Sequence, residues 1–129
     1  MYVVYILQCL GRTYVGMTND FFRRWKHHNG YLSGGAKYTT KYKSSSHLWN
    51  PILIIDGFLT MKEAMQCEWK LKRKHGPRKR IQWTHTLLTT HSHWTKQSPK
   101  IIDQNLSIYI DPYYQSLFGS HPTRELYWK

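Results

Sequence analysis

The chain has 129 residues and carries 19 Lys and Arg against 7 Asp and Glu, a formal net charge of +12. One hydrophobic core usually serves a chain of this length, so a second large domain is excluded. With 40% hydrophobic and 16% aromatic residues the chain is too apolar to remain disordered, and no apolar run approaches the roughly 18 residues that span a bilayer.

The first residues and the cysteines bear on the compartment. Met1 is followed by a β-branched and aromatic run and not by the basic and apolar segments of a signal peptide. We therefore expect an intracellular protein of the nucleus or cytoplasm, and so compact a chain also fits a viral or otherwise minimised genome. Cys9 and Cys67 are too few for a disulfide framework or a four-cysteine zinc site, and their patterns predict core cysteines.

Positive charge is concentrated in the first part of the chain. Residues 1–80 hold 15 basic and 4 acidic side chains, whereas residues 81–129 hold 4 and 3. Lys and Arg displace condensed counterions from a phosphate backbone and bind it without regard to sequence. The first part is thus predicted to meet a polyanion, and charge alone leaves DNA, RNA and an anionic membrane open.

Two runs of β-branched and aromatic residues open the chain. They cover residues 2–9 and 13–17, and the turn sequence around Gly11 between them predicts an antiparallel hairpin. A helix is predicted next, over about residues 20–29. It has an Asn or Asp cap at its start, and Gly30 supplies a left-handed stop signal.

Loop, strand and helix follow in the middle of the chain. Residues 30–46 are rich in Gly, Ser, Lys and Thr and predict a basic loop that could lie along phosphates. Strand character returns over 48–58. Thr60 precedes Glu63 by three residues, the spacing of a capping box, and predicts a helix over 61–75 that a Gly-Pro pair ends.

The remainder is less regular. Residues 78–94 look helical with weak patterning, residues 106–110 look like a short strand, and the tail after Asp111 has no clear period. We predict an α+β fold with a small antiparallel sheet of about three strands covered by helices. One domain is expected over residues 1–80, with residues 81–129 packed on it as a C-terminal helical or irregular extension.

Two charged side chains stand on helix faces that look apolar. The inward face of the later helix is marked by Met61, Ala64, Met65, Cys67 and Leu71. Glu68 falls on this face. A buried unpaired carboxylate costs several kcal/mol, so Glu68 needs a metal, a polar cleft or, as the simplest alternative, a structural ion pair. Arg24 shares a face with Phe21 and His28, and alone it would be read as a solvated charge.

Two tyrosine-bearing strands, an arginine and a lone carboxylate in this order resemble the GIY-YIG nuclease family. Val3-Val4-Tyr5 stands where the family has Gly-Ile-Tyr, and Tyr14-Val15-Gly16 stands where it has Tyr-Ile-Gly. Arg24 follows the second tyrosine by ten residues, and Glu68 lies on the later helix. The order and spacing fit the family, whose fold is the α+β arrangement predicted above.

The sequence departs from the family pattern at two positions. Val3 replaces the first Gly of the signature, and Met17 stands where bacterial excision-repair relatives carry a Lys. Any role of that Lys is therefore not carried over, and catalysis is not excluded.

A narrower resemblance, to the nuclease module of eukaryotic structure-specific endonucleases that cut flaps and branched junctions, covers about residues 2–75. It rests on Tyr14-Val15-Gly16-Met17-Thr18, Arg23-Arg24, His28-Asn29-Gly30, Gly57-Phe58 and Glu68-Trp69. Members of this subgroup continue into a zinc-binding RING-type domain that assembles with a scaffold protein. No such domain is expected within these 129 residues, which leaves autonomous action, a different partner and self-association open.

The resemblance implies a metal-dependent phosphodiester hydrolase. Glu68 would hold a single Mg2+ or Mn2+ ion as a hard oxygen ligand, and Arg24 would contact the nonbridging phosphate oxygens bidentately. Tyr5 or Tyr14 would activate water, and which of them is the base stays open. His28 would bind phosphate or orient the site; the alternative is a helix C-terminal His that the dipole favours.

Basic side chains near these residues are predicted to contact DNA. They are Arg23, Lys37, Lys41, Lys43, Lys70, Arg73, Lys74 and Arg78. The alternative for the cluster after the later helix is a solvated helix end or a nuclear import signal. The sequence thus predicts a DNA endonuclease of repair or recombination that acts on branched duplexes, against the alternatives of a catalytically inactive or RNA-directed basic binding module.

Overall fold

The computed structural model describes residues 1–42 and 47–126, and the predicted DNA contact Lys43 lies outside them. The strands are β1 (Tyr2–Cys9), β2 (Arg12–Thr18), β3 (Asn50–Phe58), β4 (Ser107–Ile110) and β5 (Arg124–Glu125). The α-helices are α1 (Phe21–His28), α2 (Lys37–Lys41), α3 (Met61–Leu71) and α4 (Pro77–Thr90), and short 3-10 helices cover Ile101–Asp103 and Pro112–Phe118. This is the predicted α+β class.

The strands form one sheet in the order β2-β1-β3-β4-β5. Neighbours pair antiparallel from β2 through β4, and β5 pairs parallel with β4. The predicted sheet of about three strands is therefore too small. Strand β4, foreseen as a short strand, extends the sheet beside β3, and β5 has only two residues, too few for an alternating pattern in the sequence.

Strands β1 and β2 form the predicted hairpin, and β2 is an edge strand. In their register Tyr5 lies opposite Gly16, and Leu7 lies opposite Tyr14. Directly paired residues share a face of the sheet. The hairpin alone therefore places the two predicted tyrosines on the same face, in pairs that lie two positions apart along the strands.

Helices pack on both faces of the sheet. On one face, residues of α3 and α4 join Val4, Ile6 and Val15 in a buried cluster. On the other face Tyr5 packs with Phe21 of α1 and with Trp49. Both cysteines are buried, Cys9 in the second cluster and Cys67 in the first, as predicted. In the part of the chain that is described, no helix combines the length and apolar composition needed to cross a membrane.

Helix α3 begins as predicted but differs at its end and on its faces. The Thr60 hydroxyl accepts a hydrogen bond from the Glu63 backbone N–H at 3.1 Å, the first half of the capping box. The helix ends at Leu71 and not at residue 75, because the chain turns there toward the start of α4. The prediction that Met61 and Met65 face inward is wrong, since both are exposed.

The buried stripe of α3 explains that error. It consists of Ala64, Cys67 and Leu71, at spacings of three and four residues, all fully buried. The two methionines lie beside this stripe. Apolar character alone did not distinguish the stripe from its flank, because Met tolerates both environments.

The segment predicted as a basic loop contains helix α2. The helix is too short to be stable by propensity, so tertiary contacts must hold it. Thr39 is buried, and its carbonyl accepts a hydrogen bond from the Trp49 indole N–H at 3.0 Å. Further along, α4 crosses residue 80, where the predicted division into a domain and an extension falls; that division stays a prediction.

Candidate active site

A cleft of about 300 Å³ runs along the free edge of β2. Residues 13–15 line it in succession, and consecutive strand residues point to opposite faces, so the cleft straddles the edge of the sheet. Tyr38 of α2 lines one side, and Lys72, His75 and Arg80 line the other. A sheet edge open to solvent thus carries aromatic and basic side chains from three helical segments.

Tyr5 is buried behind this cleft, with 1% of its surface exposed. Its hydroxyl lies 2.8 Å from Nε2 of His28, whose Nδ1 lies 2.8 Å from the Thr39 hydroxyl. Thr39 donates its single hydroxyl proton to the Ala36 carbonyl at 3.0 Å, so it accepts from Nδ1–H. Nε2 is therefore the acceptor, and Tyr5 donates to it.

His28 is neutral in this chain of hydrogen bonds. Burial, with the nearby positive charges of Arg24 and His27, lowers the pKa of His28 to about 4. A neutral imidazole fixed between two hydroxyls holds Tyr5 in place and does not act as a cationic phosphate ligand. Of the two functional roles considered for His28, the contacts favour the orienting one.

Tyr14 occupies the cleft wall. It is half-buried, its ring lies 4.7 Å from the His28 ring and 6.3 Å from the Tyr5 ring, and it stacks on Tyr38 at 6.3 Å. Burial raises the pKa of Tyr14, and the positive charge of Arg24 opposes that rise. Tyr14 is thus the one of the two predicted tyrosines that lines the cleft.

Gly16 allows the two phenols to approach each other. A Cβ atom at this position would lie 2.6 Å from Cζ of Tyr5 and 2.8 Å from Cε2 of Tyr14, closer than real contacts allow. The last residue of the Tyr-Val-Gly motif is therefore required by sterics on the face that carries both tyrosines.

Arg24 is half-buried, and a contact with the segment that follows α1 orients its side chain. Its Nη1 donates a hydrogen bond to the Gly34 carbonyl at 3.0 Å. Its charge lowers the pKa of both Tyr5 and Tyr14, against the larger effect of burial. The guanidinium is therefore close to both phenols and is not the freely solvated charge considered as the alternative.

Glu68 approaches the same site from α3. Its side chain is 19% exposed, and Oε2 lies 3.6 Å from Nζ of Lys72 one helical turn later. Burial raises the pKa of the Glu68 carboxyl, Lys72 opposes this, and the carboxylate charge in turn raises the pKa of Tyr14. The ion-pair alternative is thus present in the structure, but it involves one carboxylate oxygen at a long distance.

The donor set fits a single hard cation. A carboxylate is the ligand type that Mg2+ and Mn2+ prefer, and such ions keep several water ligands. Among residues 1–42 and 47–126 no group of three or more His, Cys, Asp and Glu side chains could hold a metal. Glu68, the carboxylate whose charge acts on both tyrosines, is the candidate protein ligand.

The predicted DNA contacts lie in two regions. Near α1 and α2 the exposed side chains are those of Arg23, Lys37 and Lys41. After α3, Arg73 stacks over Trp69 at 4.0 Å, and the ammonium groups of Lys74 and Lys70 lie 5.1 and 5.9 Å from the Trp83 ring. Arg78 is exposed at the start of α4. Each region includes residues that line the cleft, Tyr38 in the first and Lys72 and His75 in the second, and the contacts of both regions with DNA stay predictions.

Sequence reasoning missed two residues of the site. Thr39 completes the hydrogen-bond chain to His28, and Tyr38 forms one side of the cleft. Both belong to α2, which the composition had presented as loop. The only available signal was the aromatic residue between Lys37 and Lys41, and it does not by itself indicate a site.

The site thus combines two tyrosines at a sheet edge with an arginine and a helix-borne glutamate, the set of residues that the sequence analysis related to a nuclease family. The model of the GIY-YIG catalytic domain matches residues 1–82 of the 129 in this chain. The chain therefore belongs to the GIY-YIG family and carries its endonuclease domain. Nucleases of this family generally depend on a divalent metal ion.

Its similar proteins are named structure-specific endonuclease subunits. The chain is 36% identical over 80 residues to subunit slx1 of Talaromyces marneffei, across 60% of this chain and 20% of that protein. It is 39% identical to SLX1 of Candida dubliniensis over 80 residues, across 60% of this chain and 28% of that protein. It is 33% identical to human SLX1 over 81 residues, across 59% of this chain and 28% of that protein. The chain thus spans 20 to 28% of the length of these relatives.

Proposed function

We propose that this protein is a divalent-metal-dependent DNA endonuclease that cuts branched duplexes such as flaps and junctions. The observation that carries the proposal is the position of Tyr14, which lines the cleft at the open edge of β2 and whose pKa is affected by the charges of both Arg24 and Glu68. The names of the similar proteins support a structure-specific endonuclease. A place in repair or recombination is part of the proposal.

Arg24 would bind the nonbridging oxygens of the scissile phosphate. A guanidinium presents two parallel N–H donors to a phosphate and keeps its charge at any working pH. Its Nη1 bond to Gly34 orients the group before DNA arrives. A preorganised cation stabilises the charge that develops on the phosphate oxygens, which is the larger part of catalysis in such reactions.

Tyr14 would take the proton from the attacking water. It lines the cleft, whereas Tyr5 is buried and its hydroxyl is already bonded to His28. The charge of Arg24 favours the phenolate of Tyr14, and a general base must reach its water directly. Tyr5 and His28 then act as positioning residues that hold the ring of Tyr14 in place.

Glu68 would hold the metal ion, Mg2+ or Mn2+. When bound, such an ion polarises the phosphate and helps the leaving oxygen to depart. Lys72 pairs with one oxygen of the same carboxylate and would compete with the ion for it. The raised pKa of Glu68 means that metal binding weakens on mild acidification, at a higher pH than for an ordinary Glu.

The proposal also includes a partner and a compartment. The relatives are named as subunits, so a protein partner is part of the proposal, and self-association is the alternative. A nuclease of branched DNA would act in the nucleus or at a cytoplasmic, viral replication site.

Cleavage of labelled 5′ flap, splayed-arm, four-way-junction and linear duplex DNA with Mg2+ or Mn2+ tests the proposal. We expect the wild type to cut branched DNA, and Glu68→Gln and Arg24→Ala to bind it but cut at least about 10²-fold more slowly. Glu125→Gln and Arg124→Ala, exposed on β5, are the charge-matched controls and should cut normally.

Two results would contradict it. Binding without cutting on every DNA, unaffected by either site substitution, would identify a catalytically inactive module. Cutting or tight binding confined to RNA, lost on substitution of exposed aromatic residues and indifferent to Glu68, would favour the RNA-directed alternative.

A further inference from the structure

We propose that Arg80 is a built binding site for a second DNA phosphate, next to the scissile one along the same strand. The proposal rests on the endonuclease function above and adds a contact to it. Arg80 belongs to a basic run after α3, in which Arg78 and Lys79 are exposed. Arg80 itself is only 6% exposed, although Arg is seldom buried without a partner.

The guanidinium of Arg80 is held in a fixed position. Its Nε donates to the Lys74 carbonyl at 2.6 Å, and its Nη1 donates to the Thr13 hydroxyl at 3.0 Å. These bonds join α4 to the end of α3 and to β2, 67 residues away in sequence. Both acceptors are neutral, and a guanidinium has five N–H donors in all.

No carboxylate compensates this charge. Within the described ranges 1–42 and 47–126 Arg80 takes part in no ion pair, and Glu68 pairs with Lys72. Burial lowers the pKa of Arg80, and the group opposing that effect is the phenol of Tyr38, not an acid. A buried cation with only neutral acceptors is costly, and an anionic ligand would remove much of that cost.

The cleft supplies the place for such a ligand. Arg80 lines it together with Lys72 and His75, opposite Tyr38, and Tyr14 forms part of its wall at the β2 edge. The proposed water-activating phenol and the proposed phosphate cation thus share one cavity of about 300 Å³. A strand whose scissile phosphate lies at Arg24 and Tyr14 would carry its neighbouring phosphate along this cleft toward Arg80.

A structural role alone explains the position less well. A link between α4, the end of α3 and β2 needs only hydrogen-bond donors, which a neutral amide also supplies. Arg80 carries a full charge and lines a cleft that a second basic side chain, Lys72, also lines. This arrangement points to an anion as the ligand. Phosphodiester oxygens match the planar fork of Arg, as carboxylates do, but no carboxylate among the described residues pairs with Arg80.

The test is phosphate-by-phosphate binding. Fluorescence anisotropy would measure binding of a 5′ flap DNA, in which single phosphates near the cut are replaced by uncharged methylphosphonates, to the Glu68→Gln parent. Glu68→Gln/Arg80→Gln carries the test substitution. Glu68→Gln/Lys79→Gln, which loses the same charge from an exposed neighbour, is the control.

We expect one methylphosphonate beside the cut to weaken binding to the parent and to the Lys79 control by at least about tenfold, the scale of a charge-assisted hydrogen bond. The Arg80→Gln variant should bind the unmodified DNA about as weakly as the parent binds the methylphosphonate DNA. It should lose little further affinity when the methylphosphonate is introduced. The slope of its log binding constant against log salt concentration should fall in magnitude by about 0.9, because one phosphate fewer is neutralised.

An unchanged methylphosphonate profile in the Arg80→Gln variant would overturn the inference, and a lowered melting temperature alongside it would assign Arg80 a purely structural role. If Arg80→Gln does not fold, Arg80→Lys, which keeps the charge and loses the fork, must still show reduced coupling to the same phosphate. Because binding is measured without cleavage, failure of the proposed nuclease activity in the wild type would be seen separately.

Discussion

Tyr5 and Tyr14 carry the same phenol in different surroundings, and this difference predicts opposite effects of losing the hydroxyl. Tyr14→Phe removes the group that faces the cleft, so we expect kcat on flap DNA to fall by about 10²-fold or more with little change in stability. Tyr5→Phe leaves Nε2 of His28 buried without a donor, so we expect a loss of about 1–3 kcal/mol in unfolding free energy and a smaller loss of kcat.

Single-turnover cleavage and urea unfolding on both variants would check this pair of predictions. Tyr113→Phe, at an exposed position, is the matched control and should change neither quantity. The reverse pattern, with the larger kcat loss in Tyr5→Phe, would assign the water-activating role to Tyr5.

The β1–β2 hairpin is the element that places both phenols, and its tolerance at Gly16 is narrow. Gly16→Ala puts a methyl group against Tyr5 and Tyr14, so at least one ring must move. We expect a loss of about 1–3 kcal/mol in unfolding free energy, as for other overpacked sites, together with a large fall in cleavage rate. Thermal unfolding and single-turnover cleavage measure the two effects.

Gly11 offers the control within the same hairpin. No described heavy atom lies within 4 Å of a Cβ built there, and the residue needs no left-handed conformation. Gly11→Ala should therefore leave both stability and cleavage nearly unchanged. Equal effects of the two substitutions would show that the hairpin, and not the contact with the phenols, is sensitive to the added methyl.

At the scale of the whole molecule, the neutral burial of His28 makes stability depend on pH. Its pKa is about 4 in the folded protein against an ordinary value of 6.5. The unfolded chain binds the proton more readily, so this contribution is complete above about pH 6.5 and is lost as pH falls toward 4. The loss is up to about 3 kcal/mol of unfolding free energy.

Comparison with His28→Gln isolates this contribution, because the acidic groups of the protein titrate in both chains. Chemical denaturation at pH 7 and pH 4 should show that the wild type loses up to about 3 kcal/mol more than the variant over this range. Parallel losses in the two proteins would mean that His28 is protonated in the folded state.

Local signals in the sequence were sufficient for much of the architecture. The hairpin, the start of α3 at the Thr60 cap and the end of α1 before Gly30 follow from residue preferences that act over a few positions. The family resemblance identified Tyr5, Tyr14, Arg24 and Glu68 as candidate site residues, because the spacing of the motifs indicates which strands and helices bear them.

Tertiary structure alone decided what depends on contacts between distant segments. Helix α2 exists because Trp49 and His28 bind Thr39, and β5 exists because β4 pairs with it. The burial of Arg80 was equally hidden, since its neighbours Arg78 and Lys79 have the same chemistry and are exposed. The sequence by itself determined the class of fold and the family of the site. Only packing determined which phenol reaches the cleft and which cation is buried beside it, because those depend on the surroundings of a side chain and not on its type.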